Sequence, residues 1–192
     1  MAILIEVSGQ DYRMCDENSH NMWANTKQGA WGGGIVNSAT DPRKVERSGR
    51  IGEQAYALYM GKEVDWTYRR GGDNKDFSLG SFSVDVKTSS YNPKKSPDAA
   101  LIKYIDARRG KLQLKCDVYV ACEITYENRE QEIAKVAIHG WVARSEIQHL
   151  PRRAGIYGYK KSEGKGWMNA IMKFDSIHPI NQLLDIQQIL ED

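Results

Sequence analysis

Apolar and polar positions alternate most cleanly on either side of Gly80-Ser81. Phe77-Ser78-Leu79 precedes the pair, and Phe82-Ser83-Val84-Asp85-Val86-Lys87 follows it. A period of two marks a strand with one buried face. A two-residue loop whose first residue is glycine fits a type II′ hairpin turn. That turn fixes the register: Leu79 opposite Phe82, Ser78 opposite Ser83, Phe77 opposite Val84 and Asp76 opposite Asp85. Asp85 and Lys87 then share one face, while Phe82, Val84 and Val86 take the other.

The rest of the chain follows from weaker periods. Residues 2–7 alternate and predict a first strand. From Ser8 to about Ala39 there is no clear period, and the stretch reads as a long loop carrying Trp23, Trp31 and Gly32-Gly33-Gly34. Thr40-Asp41-Pro42 supplies a capping oxygen and a proline for a helix start. The predicted helix runs through Val45, Ile51, Ala55 and Leu58 to a stop near Gly61. Val64 to Tyr68 is strand-like, and Ser89 to Ala99 is a loop. Strands are expected at Leu101–Ile105, Val118–Thr125 and Val136–Val142, and Ser145 is a candidate cap for a short helix. Residues 151–166 are basic and glycine-rich, Ile171–Phe174 reads as an edge strand, and Asn181 opens a terminal helix. The order predicts an α/β domain with a mixed sheet.

Composition adds boundaries more than content. With 192 residues, 41% apolar and 27% charged, the chain fits one globular domain. Its core is expected at 40–145, preceded by the strand and loop of 1–39 and followed by a C-terminal extension, 146–192. No apolar run reaches a membrane-spanning length, and the first residues do not resemble a secretory signal, so a cytoplasmic protein is expected. Cys15, Cys116 and Cys122 are odd in number and lack C-x-x-C spacing, which points to reduced thiols. A net charge of +2 does not announce nucleic-acid binding. Basic pairs do occur at Arg69-Arg70, Lys94-Lys95 and Arg108-Arg109, the kind of cluster that contacts phosphates.

The candidate chemistry sits on the hairpin. Two carboxylates directly opposed across a strand pair repel each other, so Asp76 and Asp85 call for a cation between them. Acid-x-lysine occurs three times, at Asp73, Asp85 and Glu163, but only Asp85-Val86-Lys87 lies on an alternating strand with a second acid across a tight turn. Glu53 shares a helix face with Tyr56, Ala57 and Met60. It sits either at the helix edge in water or inside the molecule with a partner. The four histidines lack metal-ligand spacing, neither Gly-rich stretch completes a P-loop, and there is no G-x-S-x-G.

Asp76, eight further residues and then Asp85-Val86-Lys87, preceded by Gly49-Arg50-Ile51-Gly52-Glu53-Gln54 opening a helix, resembles the PD-(D/E)xK nuclease superfamily. Lys75 stands where the family has proline, and Asp85 where glutamate is commoner. The resemblance implies a restriction-endonuclease-like central mixed β-sheet flanked by α-helices. It implies a Mg²⁺-dependent deoxyribonuclease acting on DNA, with Mn²⁺ as a substitute; endonuclease is the preferred reading, with exonuclease and junction resolvase left open by the sequence. Asp76, Asp85, Glu53 and the Val86 carbonyl would hold the metal, and Lys87 would orient or deprotonate the attacking water. Many such folds act as homodimers. A non-cleaving nucleic-acid-binding or assembly module on the same fold is the alternative.

Overall fold

The computed structural model describes residues 1–27, 42–67, 75–92, 97–106, 111–112, 114–160 and 165–185. In chain order the elements are β1 (Ile3–Ser8), α1 (Gln10–Lys27), α2 (Pro42–Met60), β2 (Phe77–Leu79), β3 (Phe82–Ser89), β4 (Ala99–Asp106), β5 (Lys111–Leu112), β6 (Val118–Asn128), β7 (Ile133–Ala143), a 3-10 turn (Ile147–His149), β8 (Arg152–Lys160), β9 (Lys165–Lys173) and β10 (His178–Pro179). Residues 181–185 are helical.

Two sheets form. One is mixed, in the order β1-β7-β6-β3-β2, with β10 also on β7; the other is antiparallel, in the order β5-β4-β9-β8. The β3–β6 pair is parallel and the remaining ladders are antiparallel. Alternate residues of β6 serve two separate cores. Val118, Val120 and Cys122 pack with Tyr12 and Cys15 of α1, Ile51, Ala55 and Tyr56 of α2, and Val84 and Val86 of β3. Tyr119 and Ala121 pack with Ile102 and Tyr104 of β4 and Met172 of β9. The mixed sheet is therefore buried on both faces, which explains the long apolar run of β6. The expected α/β class and mixed sheet are present. The flanking differs: among the described residues α1 and α2 cover one face, and the second sheet covers the other.

Several local expectations change. The stretch after Ser8 begins with an 18-residue helix, α1. Its inward positions are Tyr12, Cys15 and Ser19, spaced by three and four, all nearly inaccessible. None is aliphatic and Ser19 is polar, so the stripe is weak as a hydrophobic pattern. Val64 to Thr67 forms no strand. Val64 and Trp66 do lean on the core while Glu63, Asp65 and Thr67 face outward, so the alternation is real but, among the described residues, lacks a partner strand. Residues 152–160 and 165–173 form the β8–β9 pair. Ser145 caps nothing: Glu146 precedes the 3-10 turn, and its carboxylate accepts the Ala143 N–H at 2.7 Å.

The helix α2 is present as predicted, although Thr40-Asp41 lies outside the described residues. Ile51 and Ala55 are buried, whereas Val45 and Leu58 are exposed. Its end is set by Gly61 at φ +61. Lys62 N–H donates to the Ala57 carbonyl and Gly61 N–H to the Leu58 carbonyl, which is a Schellman closure. The three cysteines are free and buried. Among the described residues, no helix is long and apolar enough to cross a membrane.

Candidate active site

The hairpin folds in the predicted register: Leu79 pairs with Phe82, Ser78 with Ser83 and Phe77 with Val84. Gly80 adopts φ +53, and Ser81 does not share the left-handed region, which is the type II′ pattern. The start of β3 is pinned from the other side. Asp117, just before β6, accepts both the Ser83 N–H at 2.9 Å and the Ser83 hydroxyl at 2.7 Å.

The register stops one residue short of the predicted Asp76–Asp85 pair. Regular alternation would make residue 76 a non-hydrogen-bonded partner of Asp85. Instead the Asp76 N–H donates to the Val84 carbonyl at 2.9 Å. The carboxylate of Asp76 reaches along β3 and accepts the Val86 N–H at 2.7 Å. Among the described residues, the outer side of β3 has no strand partner beyond Val84. Asp76 thus closes an open strand edge with its side chain. The N–H and C=O of a strand residue point the same way, so the Val86 carbonyl faces that same edge.

On β3 itself, Lys87 Nζ donates to Asp85 Oδ1 at 2.6 Å. Glu53 arrives from α2. Its neighbours Tyr56 and Ala57 are wholly buried, and its own side chain is only 14% exposed, so of the two expected placements it takes the inward one. Its partner is Arg50, one turn earlier, with Nη1 donating to Oε2 at 2.6 Å. Sequence reasoning did not assign a role to Arg50; its signal was the i,i+3 spacing from an inward glutamate.

The carboxylates crowd one another. Burial pushes the Glu53 carboxyl up; Arg50 and Lys87 act against it, and Asp85 adds to it. Asp76 is held well above the ordinary aspartate value, first by burial and then by Glu53 and Asp85, with Lys87 and the Val86 N–H opposing. For Lys87 burial works against the charge, but Asp85 and Asp76 outweigh it and hold the ammonium above the usual lysine value. The side chain therefore stays cationic at neutral pH. Burial, together with Asp85 and Asp76, pushes the nearby Cys116 thiol up to about 12, which leaves it unreactive. Glu53, Asp76, Asp85 and Lys87 share one local field.

A cleft of about 680 Å³ opens beside them, between the segment after α2 and the β2 edge. Glu53, Arg50 and Asp76 are in its wall, with Lys62 and Lys75 on opposite sides. Among the described residues, no group of three or more His, Cys, Asp and Glu side chains stands ready to hold a metal ion. The reason is local: Glu53 is turned to Arg50, Asp85 to Lys87, and Asp76 to the Val86 N–H. The donor set of hard oxygens still suits Mg²⁺, which takes one or two carboxylates and keeps several waters. Asp76, Asp85, Glu53 and the Val86 carbonyl are the candidate ligands. The basic residues proposed for phosphate contact, Arg69, Arg70, Lys94, Lys95, Arg108 and Arg109, all lie outside the described residues. Comparison with protein-family models, curated proteins and solved structures finds no match for this chain.

Proposed function

We propose that the protein is a metal-dependent nuclease of the PD-(D/E)xK type, cutting DNA phosphodiester bonds as an endonuclease. One observation carries this reading. Three carboxylates, brought from α2, the approach to β2, and β3, meet around a single lysine at an open strand edge beside a cleft. Buried acids crowded together are costly to a fold, and burial raises the proton affinity of Glu53 and Asp76. A divalent cation is what they lack. When bound, Mg²⁺ would acidify a coordinated water and polarise the phosphoryl oxygen.

The chain's own groups supply the rest. Asp76 and Asp85 orient the site, the first locked to the Val86 N–H and the second to Lys87. Because Lys87 is held as an ammonium, it acts as a fixed positive charge beside the developing negative charge on phosphate. That role fits its surroundings better than proton abstraction. Arg50 pairs with Glu53 at 2.6 Å, so Glu53 would have to leave that partner to join a metal as a third carboxylate.

The internal pairing of every carboxylate favours a second reading, a nucleic-acid-binding or assembly module on this architecture that does not hydrolyse its partner. One experiment separates the two: incubation with supercoiled, linear, branched and single-stranded DNA, with and without Mg²⁺ or Mn²⁺. Metal-dependent cleavage, lost in both Asp85→Ala and Lys87→Ala, is the expected result. Cleavage retained in both variants overturns the site. DNA binding without cleavage in any divalent metal establishes the second reading.

A further inference from the structure

Helix α2 rests on β3 at one unusually close point. A Cβ built on Gly52 would stand 1.8 Å from Thr88 Oγ1, 2.9 Å from its Cβ and 3.0 Å from its Cγ2. No side chain larger than hydrogen fits there without moving the helix or the strand. Glycine inside a helix costs about 1 kcal/mol relative to alanine, so this position forgoes helix stability for close approach. The Thr88 hydroxyl is fully buried and, among the described residues, has no hydrogen-bond partner. A buried orphan hydroxyl also costs stability. Two locally unfavourable choices thus meet at one contact.

The contact lies next to the site on both elements. Gly52 precedes Glu53 on α2, and Thr88 follows Lys87 on β3. Thr88 shares the α2-facing side of β3 with Val84 and Val86, while Asp85 and Lys87 take the opposite side. Glu53 must therefore meet Lys87 and Asp85 around the strand edge, where helix-to-strand distance decides whether it reaches. We propose that the Gly52–Thr88 contact sets the spacing between Glu53 and the Asp85–Lys87 pair, and that both are positioning residues of the site. The inference rests on the nuclease reading only for its effect on cleavage, since the spacing itself exists without a substrate.

The test is a size exchange with two readouts. Gly52→Ala adds the offending Cβ. Thr88→Ala in that background removes the 1.8 and 3.0 Å contacts but leaves the 2.9 Å one, and Thr88→Gly removes all three. The first readout needs no activity: the NMR chemical-shift change at the Lys87 side chain caused by Glu53→Gln at fixed pH. It is expected to shrink by more than about half in Gly52→Ala, and to return stepwise with Thr88→Ala and then Thr88→Gly. The second is Mg²⁺-dependent DNA cleavage. A misplacement of this kind costs on the order of 100-fold in kcat, and KM should change little, with the same stepwise rescue. An unchanged Lys87 response across the series overturns the proposal, whatever the cleavage result. A changed response in a protein that cuts no DNA leaves the spacing role standing and removes the nuclease reading. If Gly52→Ala does not fold, Thr88→Ala alone serves. It takes away two of the three atoms at that contact, Oγ1 and Cγ2, and an unaltered Lys87 response there equally overturns the proposal.

Discussion

Two clusters of buried charge hang on the same helix and are built on opposite logic. In the first, Arg47 of α2 donates to Glu127 at 2.9 Å and reaches Asp16 of α1 at 3.4 Å. Tyr12 donates its hydroxyl to Glu127 at 2.9 Å, and Arg129 approaches Asp16 at 3.3 Å. Two carboxylates face two guanidinium groups, and the cluster ties α1, α2 and the β6–β7 hairpin together. In the second, Glu53, Asp76 and Asp85 surround Lys87, and Arg50 pairs with Glu53 while its guanidinium lies 5.7 Å from the Trp66 ring centre. There burial and the Asp85 charge raise the proton affinity of Glu53, and burial with Glu53 and Asp85 raises that of Asp76. A network that closes on itself is a fastener. One that leaves acids short of a cation is poised to accept something else.

The largest expected effect is at the poised cluster. On the proposed chemistry, Lys87→Ala removes the fixed cation beside the phosphate, and kcat for Mg²⁺-dependent cleavage should fall by about 100- to 1,000-fold. Steady-state kinetics on a DNA substrate check this, and a fall confined to KM would show that Lys87 only binds. Next comes the fastener. Arg47→Met leaves Glu127, whose side chain is 6% exposed, without its ion partner. Breaking a buried pair from one side costs about 3–5 kcal/mol. Denaturant unfolding measures the loss, and a cost under about 1 kcal/mol would mean that the network does not hold α1.

How much of this was legible depends on which physical signal each residue carried. The β2–β3 hairpin was readable because period-two alternation and a glycine at a positive-φ turn agree on one register. Its last pair was not, because Asp76 trades ladder geometry for a side-chain bond to the Val86 N–H, and alternation carries no information about that. Glu53 was readable as an oddity: an acid heading a stripe of Tyr56 and Ala57. Its partner Arg50 was not, since surface arginines look the same in sequence. Helix α1 was missed because none of its inward residues is aliphatic, and the polar groups of Tyr12 and Cys15 find their partners, Glu127 and the Arg50 carbonyl, elsewhere in the chain. In the second sheet, β4 and the end of β9 were readable as strands, but β8 was not, because basic, glycine-rich residues 152–160 give no strand period of their own and only their pairing with β9 makes them a strand. The charge on a cluster becomes visible only when the fold adds it up.

The contrast also has a pH signature. A carboxyl held above its unfolded value stabilises the fold fully below that unfolded value, and the contribution is lost as pH rises through the folded one. Asp76 is such a group. Metal-free protein should therefore lose stability as pH climbs from about 4, the ordinary aspartate value, towards neutrality. Asp76→Asn should flatten that loss and raise stability at pH 7, because the amide oxygen can still accept the Val86 N–H. Asp117 has the opposite sign: the Ser83 hydroxyl and N–H hold its carboxyl below the usual value, so its contribution is lost only as pH falls through that lowered value. Thermal unfolding across pH, in EDTA, distinguishes them. A variant Asp76→Asn less stable than the parent at pH 7 would mean that this acid is satisfied as it stands.

The smallest effect tests whether the fastener is one unit or a centre with a rim. Arg129 is 57% exposed where it meets Asp16, whereas Arg47 is 6% exposed. Exposed pairs contribute about 0–1 kcal/mol, and salt screens them. Arg129→Ala should therefore cost well under about 1 kcal/mol, and the difference should vanish when unfolding is repeated at high ionic strength. Arg47→Met should keep most of its cost under the same conditions, because its partner is out of reach of counterions. If Arg129→Ala instead costs as much as Arg47→Met, Asp16 is the keystone through which both arginines act. The closed cluster would then be as sensitive to one missing cation as the poised one is, and the distinction between them would rest on proton affinity alone.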